Sequence, residues 1–182
     1  MHEEDRLKGL ILQSNKDKAI QLLIDECMED VKRFVFTYVK NWSYTDDIVQ
    51  DAFLAVYLNL DTFKESASIK TWILSIAANK AKDFLKSWHY KKVSLTNQFF
   101  HQANNETPET LLLNNQENDE VSALIFSLPV KYREVIILYY YKDLSIKEIS
   151  EVLGTGQSTV KTRLHRAKMK IGEKLRGDFF EE

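Results

Sequence analysis

The sequence predicts an all-α protein: two small helical domains joined by a flexible linker, the C-terminal one a helix-turn-helix. Three observations predict it. The 182 residues include only 5 Gly and 2 Pro, few of the residues that punctuate β-hairpins. Apolar residues recur at i, i+3, i+4 spacing over long stretches on either side of residues 94–120. That intervening segment is rich in Asn, Gln, Thr and acid and carries Pro108, a composition that favours a linker. The expected domains are therefore 1–93 and 121–182.

From Ala19 to Tyr38 the residues Leu22, Leu23, Met28, Val31, Phe34, Val35 and Tyr38 form a helical core stripe, which Asn41 to Thr45 breaks. Thr45 is placed to cap the next helix, with Asp46 and Asp47 in a first turn where carboxylates suit the macrodipole. That helix runs to about Leu60. Its buried stripe is Val49, Ala52, Phe53, Val56 and Leu60, which leaves Asp47, Ile48, Gln50, Asp51 and Leu54 outside. Exposed apolar groups beside two acids suit a partner surface; an ordinary acidic helix face is the alternative.

Phe63 to Ser68 reads as a polar loop, and Ile69 to Ser87 as a helix with Trp72, Ile73, Ile76, Ala77, Ala81, Phe84 and Leu85 inside. Lys70, Asn79, Lys80, Lys82 and Lys86 decorate it. Trp88, His89, Tyr90, Lys91 and Lys92 follow, aromatics interleaved with charge in a way that suits stacking on unpaired bases.

Beyond the linker, Leu111 to Leu113 can open a helix. Ser127 and Pro129 lead another through Tyr141, with Val130, Val135, Ile136 and Leu138 on its apolar side. Ser145 and Glu148 have capping-box spacing, Ile146, Ile149, Val152 and Leu153 follow at helical intervals, and Gly154 stands where a left-handed residue would end the helix. After Thr155 and Gly156 a second helix keeps Val160, Leu164, Ala167, Ile171 and Leu175 on one face. The other face presents Ser158, Thr159, Thr162, His165, Arg166 and Met169, flanked by Lys161, Arg163, Lys168 and Lys170. Short polar groups between cations fit base edges between phosphates. A solvated basic face is the alternative for an isolated helix, but the capped short helix and Gly turn favour DNA reading.

The formal net charge of −2 conceals a segregation. Residues 1–63 hold 7 basic and 12 acidic side chains, 64–92 hold 7 and 2, 93–130 hold none and 5, and 131–176 hold 11 and 5. Two cationic blocks flank an acidic connector, so two surfaces can each meet a phosphate backbone. The single cysteine, Cys27, excludes an internal disulfide. The histidines, His2, His89, His101 and His165, have no metal-ligand spacing, and no Gly-rich phosphate loop or nucleophile elbow occurs. No enzyme, cofactor or metal is therefore expected. No run of about 18 apolar residues or signal-peptide pattern appears, so a cytoplasmic protein without stable membrane insertion is expected.

Four stretches in order resemble the extracytoplasmic-function group of bacterial sigma factors: Asp46 to Tyr57 (DDIVQDAFLAVY), Phe63 to Lys86 (FKESASIKTWILSIAANKAKDFLK), Leu128 to Leu138 (LPVKYREVIIL) and Leu144 to Lys170 (LSIKEISEVLGTGQSTVKTRLHRAKMK). With the preceding helix they cover nearly the whole chain. The resemblance implies a subunit that binds core RNA polymerase, directs it to promoters and helps open the duplex, commonly restrained by an anti-sigma factor, in some cases at the membrane. It implies that Asp47, Ile48, Gln50, Asp51 and Leu54 hold the polymerase clamp. By the same likeness, Phe63, Lys64, Ser68, Lys70, Asn79, Lys80, Lys82 and Lys86 capture the single-stranded minus-ten element, where a flipped base costs a few kcal/mol of unstacking. Ser158, Thr159, Lys161, Thr162, Arg163, His165, Arg166 and Lys168 then read the minus-thirty-five duplex, with Thr162, His165 and Arg166 nearest the bases.

The chain departs from the family pattern at Glu65 and Ser66, where Gly then an acid is frequent. Ser75 replaces a common Arg or Lys, and Gly156 a common Pro or Ser. These bear on specificity rather than class. A helix-turn-helix regulator acting without polymerase would leave the basic block at 64–92 idle, and a polymerase-binding inhibitor would leave the reading helix idle.

Overall fold

Asn15 opens the first described helix, its side chain accepting from the Lys18 amide at 2.9 Å. The structure, a computed structural model, describes Gly9 and residues 15–63, 68–94 and 119–177. Helix α1 (Lys16–Val39) ends at Lys40, left-handed at φ 53°. Helix α2 (Trp42–Asn59) begins almost at once, capped by Asn41, whose side chain accepts from the Tyr44 amide at 3.1 Å.

The expected break over Asn41 to Thr45 is thus confined to Lys40 and Asn41. Thr45 is no cap: it is buried in the first turn and its hydroxyl donates to the Asn41 carbonyl at 2.8 Å. The start of α2 is fixed instead by the Asn41 cap and by packing, since the Trp42 ring stacks on Phe36 at 4.4 Å across the corner. A 3₁₀ turn (Leu60–Thr62) follows α2. Ser68 then starts α3 (Ile69–Ser94), accepting from the Thr71 amide at 3.2 Å.

Each of α1, α2 and α3 packs on the other two, and Leu23, Phe34, Val35, Val49, Val56, Ile69 and Ile73 lie wholly inside. This triangular packing sets the exposed surface of α2. A helix wedged between two neighbours buries a wider arc than the single stripe expected of one contact.

The C-terminal helices are α4 (Asp119–Ser127), α5 (Val130–Ile136), α6 (Ile146–Leu153) and α7 (Gln157–Gly177). Ser127 ends α4, its hydroxyl donating to the Leu124 carbonyl at 2.6 Å, so it does not lead the next helix. Pro129 is the residue before α5, extended at ψ 143°, where its missing N–H is no loss. Helix α5 widens into a π-helical turn, Ile137–Tyr141, in which Lys142 N reaches back to Ile137 O at 3.2 Å.

The capping box of α6 forms in full: Glu148 accepts from the Ser145 amide at 2.8 Å while Ser145 Oγ accepts from the Glu148 amide at 3.3 Å. Gly154 is left-handed at φ 61° and ends α6. Val160, Leu164 and Ala167 bury the inner face of α7 beside Val135, Leu138, Ile149 and Val152.

The chain divides into two compact units, Met1–Gln98 and Phe99–Glu182. Of the expected linker, Ser94 is in α3 and Asp119 and Glu120 are in α4; the rest, with Leu111 to Leu113, lies outside the described residues. Among the described residues there is no strand, no helix long and apolar enough to cross a membrane, and no group of His, Cys, Asp and Glu that could hold a metal.

Candidate nucleic-acid interface

In the C-terminal unit the outer face of α7 carries the side chains expected there. Ser158, Lys161, Thr162, His165, Arg166 and Lys168 are exposed and Thr159 is half-exposed. Thr162 donates to the Ser158 carbonyl at 2.9 Å, which fixes its rotamer on that face.

Arg163 is the exception. Its guanidinium meets the Glu134 carboxylate of α5 at 2.9 Å, and Glu134 is only 3% exposed. Arg163, expected to face DNA, forms a tie between α5 and α7. Its position on the flank of α7, next to the buried Val160 and Leu164, turns it toward the neighbouring helix rather than outward.

Two residues of α5 that sequence reasoning passed over extend this surface. Lys131 is exposed, and the buried Tyr132 ring brings its hydroxyl to Arg166. The Arg166 hydrogen bond, reinforced by the Lys131, Arg166 and Lys170 cations, holds the phenol below its ordinary range despite the opposing effect of burial. Lys131, Tyr132, Thr159, Thr162 and Arg166 share the lining of a cavity of about 300 Å³. The signal was present in the motif Leu128 to Leu138, but the apolar stripe of Val130, Val135, Ile136 and Leu138 does not include Tyr132 and says nothing of its hydroxyl. On the other flank Lys168 donates to the Tyr140 hydroxyl, which raises the ammonium above the ordinary lysine value, and it lies 5.4 Å from the Tyr140 ring centre.

In the N-terminal unit the expected minus-ten residues separate. At about 100° of rotation per residue, Trp72, Ser75, Asn79, Lys82 and Lys86 fall within an arc of about 80° on the face of α3 opposite the core. Lys70 and Lys80 are more than about 100° from the centre of that arc, so they do not join it.

Asn79 and Lys86 are exposed, and Lys86 meets Asp83 at 3.2 Å in a solvent-open pair that phosphate can displace at little cost. Ser68 is committed to capping α3. The Phe63 ring lies 5.2 Å from Trp72, and both are half-exposed, so Trp72, expected in the core, forms one aromatic wall with Phe63. Ser75 donates to the Trp72 carbonyl at 2.7 Å. Lys64, Glu65 and Ser66 lie outside the described residues, as do the side chains of Trp88 to Lys92.

Helix α2 presents Asp47, Gln50, Asp51 and Leu54 to solvent, Leu54 being 57% exposed. Leu58, four residues on, is 64% exposed and lengthens the stripe, although the sequence reading left it unassigned. Ile48 is corrected: it is 4% exposed. It stands three residues after buried Thr45 and four before buried Ala52, on the second stripe that the three-helix packing creates.

Family models described as Sigma-70 region 2 and Sigma-70, region 4 match residues 23–89 and 118–171. RNA polymerase sigma factor SigV of Bacillus subtilis is 31% identical over 159 residues, 84% of this chain and 90% of that protein. The ECF RNA polymerase sigma-E factor of Escherichia coli is 30% identical over 173 residues, 90% of each. In fold, the chain is similar to the sigma factor RpoE of Bartonella quintana, solved with the anti-sigma factor NepR, at a TM-score of 0.69 and 18% identity over 87% of this chain and 98% of that one. It is likewise similar to CnrH, solved with the cytosolic domain of CnrY, at 0.67 and 23% over 96% and 98%.

Proposed function

The chain belongs to the extracytoplasmic-function group of the sigma-70 family, and we propose that its three surfaces divide the work of such a factor. It binds core RNA polymerase, directs it to promoters and promotes initiation. The acidic and apolar stripe of α2, Asp47, Gln50, Asp51, Leu54 and Leu58, takes the polymerase. The face of α3 with Phe63, Trp72, Asn79, Lys82 and Lys86 takes the unpaired minus-ten strand, the aromatic pair offering a wall for a flipped base and the lysines its phosphates. The outer face of α7, with Thr162, His165 and Arg166 at its centre, reads the minus-thirty-five duplex in the major groove. An anti-sigma partner is part of the same proposal, and the family likeness supports it.

The observation that carries this reading is the pairing of two different cationic faces on separate units, one with short polar side chains and one with aromatics. A duplex-binding regulator needs only the first. Each face alone covers few phosphates, and the second needs a base already out of the stack, at a cost of a few kcal/mol. Core polymerase changes both terms by fixing the units at the promoter spacing, which makes the second contact intramolecular.

The test is promoter binding by fluorescence anisotropy near physiological salt. The free protein is expected to bind promoter duplex feebly and with strong salt sensitivity, and tightly and sequence-specifically once core polymerase is added. Tight, sequence-specific binding by the free protein would favour a regulator acting alone.

A further inference from the structure

Two lysines meet at one aromatic ring where α5 packs on α7. Lys131 Nζ lies 5.1 Å from the Tyr132 ring centre and Lys170 Nζ 6.0 Å from it, so two ammonium groups from different helices lie against one buried ring. Lys131 also lines the cavity with Thr162 and Arg166, and Lys170 stands outside it, one turn beyond Arg166 on α7. No carboxylate lines that cavity, and the nearby Glu134 is engaged at 2.9 Å by Arg163, which lines it as well.

We propose that Lys131 and Lys170, spaced by the Tyr132 ring, form a clamp for a single backbone phosphodiester at the edge of the element read by α7. This rests on the reading of α7 given above. Ammonium groups are compact, hydrated point charges that suit a phosphate oxygen, whereas base edges call for the planar fork of Arg166. Tyr132 therefore serves two neighbours. Its ring spaces the lysines and its hydroxyl holds Arg166, so the phosphate contact and the base contact are set in one register. The ligand chemistry is a phosphodiester in duplex DNA; free phosphate shares the charge but not the register.

The experiment uses holoenzyme assembled from the full chain and core polymerase, on promoter duplexes carrying one neutral methylphosphonate at successive positions. For the unaltered protein, neutralising one phosphate at the edge of the minus-thirty-five element should weaken binding. In the Lys131→Gln/Lys170→Gln variant that position should become indifferent. Because both lysines share one phosphate, the logarithmic salt slope should fall by about one in total, making the loss of affinity between 50 and 200 mM salt roughly three- to fourfold smaller. Tyr132→Phe keeps the ring and should keep the sensitive position.

Retained sensitivity in the double variant overturns the clamp. So does a slope change of about two, which would give each lysine its own phosphate, or loss of the sensitive position in Tyr132→Phe. An effect of inorganic phosphate on the unaltered holoenzyme at constant ionic strength, with no sensitive methylphosphonate position, would point to a free anion and overturn it. Absence of any promoter-specific binding by the unaltered holoenzyme removes the underlying reading and the clamp together, whereas specific binding with an unchanged double variant removes the clamp alone.

Discussion

Arg163→Ala takes away the cation that faces a carboxylate almost wholly inside the C-terminal unit. Glu134 is 3% exposed, Arg163 is 28% exposed, and the charged atoms are 2.9 Å apart. Removing one partner of a fully buried pair costs about 3–5 kcal/mol. Because the guanidinium keeps some access to water, about 2–3 kcal/mol is the expected loss here. In a unit of this size that lowers the melting temperature by roughly 10–20 °C.

Thermal unfolding followed by circular dichroism measures it, with the N-terminal helices as an internal reference. The double variant Arg163→Met/Glu134→Met should recover most of the loss, since replacing both members of a buried pair by apolar groups is often neutral. The holoenzyme salt slope should be unchanged in Arg163→Ala. Unaltered stability with a slope lowered by about one would place the guanidinium on a phosphate and refute the structural tie.

The other surfaces make separate predictions. Arg166→Ala should cost about 1–3 kcal/mol at the preferred minus-thirty-five sequence and relax discrimination there, whereas equal losses on every promoter variant would reduce it to a phosphate contact. On α2, Leu54→Ala or Asp51→Arg should weaken capture of core polymerase in a pull-down with helicity intact, while Ile48→Ala should cost about 2–5 kcal/mol of stability; the reverse pattern would mean that inside and outside are exchanged on this helix. Ser145→Ala should destabilise the C-terminal unit by about 1 kcal/mol in urea unfolding, and no change would show that the capping box contributes nothing.

Where one local rule decided the geometry, the sequence was enough. Ser145, Glu148 and Gly154 specify the ends of α6 by capping and by a left-handed residue, and both appear as expected. The buried face of α7 follows from Val160, Leu164 and Ala167 at fixed intervals. Where packing between elements decided, the sequence was not enough. Ile48 is inside because α2 meets two helices, and Arg163 turns inward because Glu134 waits on α5. Trp72 leaves the core to meet Phe63, and Tyr132 contributes a hydroxyl whose partner lies 34 positions away at Arg166. Residue type showed that α3 was basic; only its rotation showed that Asn79, Lys82 and Lys86 share a face which Lys70 and Lys80 do not.

Run-off transcription from purified core polymerase, with and without this protein and across a promoter library, tests the sigma assignment most directly. The account predicts initiation that depends on the protein, is confined to promoters sharing a minus-ten and a minus-thirty-five element, and is lost when either element is scrambled. Initiation by core polymerase that the protein leaves unchanged, or represses at the promoters it binds, would contradict it.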